Sequence, residues 1–150
     1  MTHDGGCACG AIRFRVSGEP AALLLCACRD CRRASGGAPA HVLTLDKNQV
    51  EILRGRPRAY WSFADSGARV GRHYCETCAT PLFQENAARR DVVQVRVGAL
   101  DDCEPFAPQA VMWTRSAPGW MHFDDDLVKF EGEIPEKAAA ESGGANRTSE

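Results

Sequence analysis

Eight cysteines stand out in this chain of 150 residues, because seven of them fall into three tight clusters. The clusters are Cys7-x-Cys9, Cys26-x-Cys28-x-x-Cys31 and Cys75-x-x-Cys78, while Cys103 stands alone. In an extended segment, residues i and i+2 point to the same face, and a C-x-x-C turn directs both sulfurs towards one position. These spacings suit two thiolates that meet one ion better than they suit a disulfide. The clusters therefore predict metal binding.

Seven clustered thiols divide most simply into a set of four and a set of three. Four thiolates close a tetrahedral zinc site, which is the structural pattern, whereas three leave the open position of a catalytic site. Cys26, Cys28 and Cys31 can wrap one ion from a single turn, and the two remaining pairs can close the other site. An alternative joins the first pair to Cys26 and Cys28 and leaves Cys31 with the last pair. Zinc is the favoured metal, because it suits tetrahedra of thiolates.

The composition limits the classes of partner. Lys and Arg total 18 and Asp and Glu total 20, which gives a formal charge of −2. A protein that grips nucleic acid usually has a basic excess, so we expect no nucleic-acid partner. No apolar run approaches the ~20 residues of a membrane span, and the first residues lack the pattern of a secretory signal. Clustered thiols without such a signal favour a cytoplasmic protein.

The elements that must position these thiols are predicted to be short strands. Apolar residues alternate with polar ones over 12–16 and 93–97, which is the period of a half-buried strand. Further strands are expected at 40–45, 50–53, 58–63, 69–74, 82–84 and 109–113, with a helical turn at 29–35 where the chain curls around a metal. This pattern is typical of a mostly β fold. Residues 1–134 are expected to form one domain, and the polar segment 135–150 a disordered tail.

Four segments carry a family resemblance. Residues 6–14, 26–36, 74–82 and 97–102 read GCACGAIRF, CACRDCRRASG, YCETCATPL and VGALDD. In order and spacing they resemble the glutathione-dependent formaldehyde-activating enzymes, whose domain is shared with centromere protein V. The resemblance runs from about residue 6 to about residue 131, which is nearly the whole chain short of its tail.

The resemblance implies a small zinc-centred β-tent fold of short antiparallel strands, with two zinc sites. The implied ligand sets are Cys7, Cys9, Cys75 and Cys78 for a structural zinc, and Cys26, Cys28 and Cys31 for a catalytic zinc. The reaction for which the family is named joins formaldehyde and glutathione into S-hydroxymethylglutathione, which is a carbon–sulfur lyase reaction run backwards. Glutathione is therefore the expected small-molecule partner.

The chain departs from the family pattern near both sets of thiols. Ala27 stands where the family usually has His between the first two cysteines of the triplet, and Ala79 stands where it usually has Gly. If that His shuttles a proton or tunes the metal, this chain lacks it.

Three residues after the triplet are candidates for substrate binding. Arg32 and Arg33 could pair with the carboxylates of glutathione, and Ser35 could donate a hydrogen bond to a ligand of the metal. The alternatives are two solvated loop arginines and a serine that stabilises a turn. For the whole chain, the alternative to an enzyme is a binding or scaffold module of the zinc-ribbon kind, because C-x-x-C knuckles also build such modules.

Overall fold

The structure is a computed structural model that describes residues 1–135. Over these residues the chain forms one short helix, α1 (Arg29–Ala34), three single turns of 3₁₀ helix and eleven strands. The strands are β1 (Thr2–Gly6), β2 (Arg13–Ser17), β3 (Ala22–Cys26), β4 (Ala40–Asp46), β5 (Val50–Arg54), β6 (Arg58–Phe63), β7 (Arg69–Tyr74), β8 (Pro81–Asn86), β9 (Val92–Arg96), β10 (Ala110–Met112) and β11 (Val128–Lys129). The predicted mostly β class is confirmed. The predicted disordered tail lies, apart from Pro135, outside the described residues.

The strands form two sheets. A three-stranded sheet has the order β1-β2-β5, and an eight-stranded sheet has the order β11-β10-β3-β4-β9-β8-β7-β6. Most pairs are antiparallel, as short hairpin connections require, but β10 runs parallel to both β3 and β11. No helix within residues 1–135 is long and apolar enough to cross a membrane.

The eight-stranded sheet has two different faces because side chains alternate along each strand. One face packs against the three-stranded sheet, and Phe14 of β2 meets Phe83 of β8 there with ring centroids 4.9 Å apart. Leu43 and Val95 are fully buried in this core. The opposite face carries a smaller apolar cluster that includes the Cys26 and Cys31 side chains. The triplet of thiols and the main core therefore lie on different sides of the sheet.

Most predicted strands are confirmed to within a few residues, but β1, β3 and β11 were not predicted. β3 is apolar at almost every position because both of its faces are covered, so the period of two disappears. β1 contains two glycines and no apolar alternation. Its glycines are needed for close packing, since a Cβ on Gly5 would lie 2.6 Å from Cζ of Phe14 and 2.5 Å from the Ala99 carbonyl oxygen.

The predicted helical turn at 29–35 is confirmed by α1. Cys28 is its N-cap, and the Cys28 Sγ accepts a hydrogen bond of 3.3 Å from the backbone N–H of Cys31. This bond satisfies one of the unpaired N–H groups at the start of a helix. The same geometry brings the Cys28 and Cys31 sulfurs together, so the hydrogen bond that caps the helix also helps to position these two thiols.

Candidate functional site

One group of thiols joins the two sheets. Cys7 and Cys9 lie in the turn between β1 and β2, while Cys75 and Cys78 lie in the turn between β7 and β8. All four Sγ atoms are within 4.8 Å of one another. The Sγ–Sγ distance is 3.5 Å for Cys7 and Cys9 and 3.7 Å for Cys9 and Cys75. Sulfurs that surround a zinc ion at ~2.3 Å in a tetrahedron lie ~3.8 Å apart, so this four-thiol group fits zinc.

Backbone and hydroxyl donors support the four-thiol group. The backbone N–H of Ile12 donates to the Cys7 Sγ at 3.2 Å, and the Thr80 Oγ1 lies 3.1 Å from the Cys78 Sγ. The hydrogen bond with the Thr80 side chain is the main reason that the pKa of Cys78 falls to about 5. A lowered thiol pKa favours the thiolate that a metal needs. Such donors orient the ligands of a structural site.

The turn that holds Cys75 and Cys78 is strained at one residue. Ala79 has a φ of 62°, in the left-handed region, and its N–H donates to the Cys75 carbonyl oxygen at 2.8 Å. A residue with a Cβ is disfavoured there by ~1–2 kcal/mol. The alanine at position 79 therefore introduces backbone strain that a glycine would avoid.

The other group consists of the three remaining clustered thiols. Cys26 ends β3, Cys28 caps α1 and Cys31 lies in the first turn of that helix, with all three Sγ atoms within 4.8 Å of one another. Cys26 and Cys31 are buried, while Cys28 is half-buried. Hydrogen bonds with the Cys26 and Cys31 thiols lower the pKa of Cys28, and nearby backbone amides add to this effect. This three-thiol group would leave one tetrahedral position free.

Neither Ala27 nor Cys103 belongs to a group of clustered thiols. Ala27, between Cys26 and Cys28, is fully buried, and its methyl group cannot exchange a proton. Cys103 is exposed and belongs to neither group.

A cavity of about 830 Å³ opens beside the three-thiol group, and all three of its cysteines line it. The cavity lies on the face of the eight-stranded sheet that is turned away from the main core. Residues 133–135 also line it, so the last described part of the chain forms one wall. Its volume is in the range of small-molecule sites, which is ~300–1,000 Å³. We call it the thiol cavity.

Polar side chains run across the floor of the thiol cavity. Thr44 pairs with Gln94, Gln94 with Gln84, and Gln84 with Arg72 in the register of neighbouring strands. Register partners share a face of a sheet, and these four residues all line the cavity. We call them the polar row. The Gln84 Nε2 donates to the Gln94 Oε1 at 3.1 Å, and the Arg96 Nη2 donates to the Gln84 Oε1 at 3.0 Å.

Arg96 lies between the polar row and the three-thiol group. Its side chain belongs to a residue that is only 6% exposed, and it neighbours Cys31. Burial lowers the pKa of Arg96, while the negative charge of the nearby Cys31 and Cys26 opposes that effect. Three thiolates around a divalent ion carry a net charge of −1, so a buried guanidinium beside them offsets that charge.

The residues predicted to bind substrate lie elsewhere. The Arg32 guanidinium donates to two backbone carbonyl oxygens, those of Ala27 at 3.2 Å and Ser116 at 3.1 Å. Arg33 is exposed, and Ser35 is the C-cap of α1. None of Arg32, Arg33 and Ser35 lines the thiol cavity as it is formed by residues 1–135. Their predicted role in substrate binding therefore gains no support from the geometry.

Comparison with known proteins identifies the family. Residues 2–116 match the family model described as glutathione-dependent formaldehyde-activating enzyme, which covers more than half of the chain. The chain belongs to this family. A Halomonas elongata protein named "Putative glutathione-dependent formaldehyde-activating enzyme" is 28% identical over 129 residues, which is 83% of this chain and 82% of that protein. A Rhodobacter sphaeroides protein of known crystal structure shares the fold, with a TM-score of 0.53 and 19% identity over 85% of this chain and 98% of that one.

In this member of the glutathione-dependent formaldehyde-activating enzyme family, sequence reasoning missed the floor of the cavity. Gln94 and Arg96 were interpreted as the polar face of a half-buried strand, but Arg96 is buried. The available signal was that β8 and β9 each place polar residues two positions apart, Gln84 and Asn86 on β8 and Gln94 and Arg96 on β9. Two such neighbouring strands create a polar surface on one face of the sheet, which a single strand does not reveal.

Proposed function

We propose that this chain is a zinc-dependent enzyme of the carbon–sulfur lyase type, which makes or breaks an adduct between a thiol and an aldehyde. S-hydroxymethylglutathione, formed from glutathione and formaldehyde, is the adduct that the family name suggests. The observation that carries this proposal is the three-thiol group, which leaves one tetrahedral position and lies against a cavity of substrate size.

The residues of the two groups fit zinc and would divide its roles. Cys7, Cys9, Cys75 and Cys78 would hold a structural ion, because four thiolates fill a tetrahedron. Cys26, Cys28 and Cys31 would hold the catalytic ion. A zinc ion bound there supplies Lewis acidity and lowers the pKa of an incoming thiol. Without a metal ion the hydrogen bonds among the three thiols lower the pKa of Cys28, while the pKa values of Cys26 and Cys31 are raised, so Cys28 is the thiolate of the set and the other two would lose their protons when the ion binds.

The proposed reaction balances without an oxidant or a reductant. In the direction of addition, the thiol sulfur attacks the carbonyl carbon and a C–S bond forms. The π electrons of the C=O bond move to oxygen, which ends with the proton that the thiol lost. Reversal breaks the same C–S bond. The chain must therefore hold the thiol and the small aldehyde together, and the thiol cavity offers the space.

Arg96 contributes to this proposal as a charged neighbour of the thiols. With a metal ion bound and Cys26 and Cys31 deprotonated, the Arg96 guanidinium would offset part of their negative charge. An offset charge makes the approach of an anionic thiol less unfavourable.

A cytoplasmic location and a domain boundary near residue 134 remain part of the proposal. Cysteines clustered at metal-binding spacings, without the pattern of a secretory signal, support the location. The formal charge of −2 favours a small-molecule partner over nucleic acid.

The test combines metal content with turnover. Protein purified without added zinc is analysed by mass spectrometry before and after a chelator challenge, with and without glutathione. We expect two zinc ions per chain, of which one is labile and protected by glutathione. Formation of S-hydroxymethylglutathione, followed by NMR, should exceed the uncatalysed rate. Cys28→Ser should abolish that excess, and Cys103→Ser, at an exposed thiol outside both groups, should retain it.

The contrary result is equally clear. Two zinc ions that resist the chelator with and without glutathione, together with no adduct formation above the uncatalysed rate, would refute the proposed enzymatic activity. They would favour the binding or scaffold module instead.

A further inference from the structure

Two arginine side chains lack carboxylate partners among residues 1–135: Arg72, which lines the floor of the thiol cavity, and Arg96, which lies beside Gln84 of that floor. The Arg72 Nη1 donates to the Ser62 Oγ at 3.2 Å, but its Nε is buried and has no hydrogen-bond partner among residues 1–135. The Nε and Nη1 of Arg96 are likewise buried and unpaired within that range. Asp30, Asp65 and Glu133 line the same cavity. Within residues 1–135, no carboxylate oxygen lies within 4.0 Å of the Arg72 or Arg96 guanidinium.

Unpaired buried donors of this kind are unfavourable in a folded protein. A buried guanidinium normally has a carboxylate or several carbonyl oxygens as partners. The two arginines are also close enough that the charge of Arg72 contributes to lowering the pKa of Arg96. An anionic group placed between such side chains would satisfy the free N–H groups and reduce the repulsion.

The two arginines differ in what surrounds them. Arg96 neighbours the Cys31 and Cys26 thiols, so its charge already faces a negative group when those thiols are ionised. Arg72 lines the cavity from β7, and within residues 1–135 no ionised group is paired with it. Arg29 and Arg89 also line the cavity, but both are exposed to solvent. Arg72 is therefore the half-buried arginine of the lining without a charged partner among residues 1–135, and it lies on the floor away from the thiols.

The layout of the strands sets the length of a ligand that reaches both ends. Cys26 lies on β3 and Arg72 on β7, with β4, β9 and β8 between them. Neighbouring strands are ~4.8 Å apart, so the two backbones are separated by ~19 Å along a flat sheet. The long Arg72 side chain reduces the gap that a ligand must span. An extended tripeptide spans ~10 Å, so a ligand of that length reaches from the three-thiol group to the end of the Arg72 side chain.

We infer that Arg72 is the specificity-determining residue of the thiol cavity, and that with Gln84 of the polar row it binds a carboxylate at the end of the substrate remote from its sulfur. The inference rests on the proposed function only in calling the ligand a substrate. The carboxylate-binding site itself does not depend on that function. It assigns carboxylate recognition to β7 and β8 and not to the arginines that follow the cysteine triplet. It also predicts that thiols without a remote carboxylate bind weakly.

The test uses a ligand that cannot react. S-methylglutathione retains both carboxylates but has no free thiol, so its binding requires neither turnover nor coordination of sulfur as a thiolate. Its affinity for the zinc-loaded protein is measured by calorimetry beside that of its diethyl ester. The native protein should bind the diacid roughly 10- to 100-fold more tightly, because charge-assisted hydrogen bonds to a half-buried carboxylate have that effect.

Variants on one strand provide the matched comparison. Arg72→Gln should weaken binding of the diacid roughly 10- to 100-fold and leave the diester unchanged. Arg69→Gln removes the same charge from β7 on the opposite face, where that arginine lies 4.9 Å from the Trp61 ring, and should bind like the native protein. Circular dichroism checks that each variant folds. If Arg72→Gln does not fold, the ratio of diacid to diester affinity on native protein decides.

Three results would overturn the inference. They are equal affinity of the native protein for diacid and diester, unchanged binding by folded Arg72→Gln, and an equal loss in Arg69→Gln. The proposed function fails separately. If no adduct forms but Arg72→Gln loses diacid binding as expected, the proposed reaction is rejected and the carboxylate site stands.

Discussion

Removing one thiol from each group should have opposite effects on stability and function. Cys75→Ser removes a buried sulfur from the four-thiol group, which joins the β1–β2 turn to the β7–β8 turn. Cys28→Ser removes a half-buried sulfur at the rim of the thiol cavity. We expect the first substitution to unfold or strongly destabilise the protein, and the second to leave the fold nearly intact.

The magnitudes follow from the surroundings of each sulfur. A structural zinc contributes an apparent ~10–16 kcal/mol in small domains, which is comparable to the ~5–15 kcal/mol of a whole domain. Loss of one of four ligands at Cys75 should therefore lower the free energy of unfolding by at least ~4 kcal/mol. At Cys28, a serine hydroxyl can still accept the N-cap hydrogen bond from Cys31, because serine is a favoured N-cap. The change there should be about 1 kcal/mol.

Urea unfolding and calorimetry measure both changes. For a domain of this length, 1 kcal/mol corresponds to ~2–4 °C in Tm, so we expect Cys75→Ser to lose ~8–16 °C or more and Cys28→Ser ~2–4 °C. Cys103→Ser is the control, since that thiol is exposed and outside both groups. Comparable losses for Cys75→Ser and Cys28→Ser, or a stable Cys75→Ser, would refute the division of roles.

Three smaller predictions concern other residues. Ala79→Gly should raise Tm by a few degrees, because glycine relieves ~1–2 kcal/mol of strain at a positive φ. Leu43→Ala should lower the free energy of unfolding by ~2–5 kcal/mol in urea titrations, since the side chain is fully buried. Burial would raise the pKa of Glu85, but Lys47 and His73 outweigh it, so the folded pKa is lowered. The stability from Glu85 is thus present above the ordinary pKa of 4.5 and is lost as the pH falls through the folded value, and the difference between native and Glu85→Gln protein should vanish there. Unfolding of both proteins at several pH values checks this, and a difference that is constant with pH would contradict it.

The predictable part of the fold depended on short-range patterns. The alternation over 12–16 and 93–97 located β2 and β9 because each strand has faces with different surroundings. The same method failed for β3, where Ala22–Cys26 is covered on both sides, and for β1, where tight packing selects glycine.

The chemistry of the site was predictable for ligands and not for the cavity. Cysteine clusters reveal metal ligands because two ligands often come from one turn. Spacing alone could not say which turns meet, because Cys9 comes within 3.7 Å of Cys75 only when the sheet of β1 and β2 packs against the sheet of β7 and β8. Arg32 follows Cys31 in sequence but donates to backbone carbonyl oxygens. Arg72 is distant in sequence and reaches the cavity through the register of three strands.

The four-thiol group also affects how the chain reaches its fold. Cys9 and Cys75 are 66 positions apart, so a metal ion that joins their turns closes a loop containing β2 to β7. Closing a loop of that length removes ~4 kcal/mol of conformational entropy from the unfolded chain in the simplest polymer estimate. Metal captured early would make the distant contacts between β2 and β8 effectively local, and low contact order favours fast folding. Refolding should therefore be faster when zinc is present from the start than when it is added after the chain has collapsed.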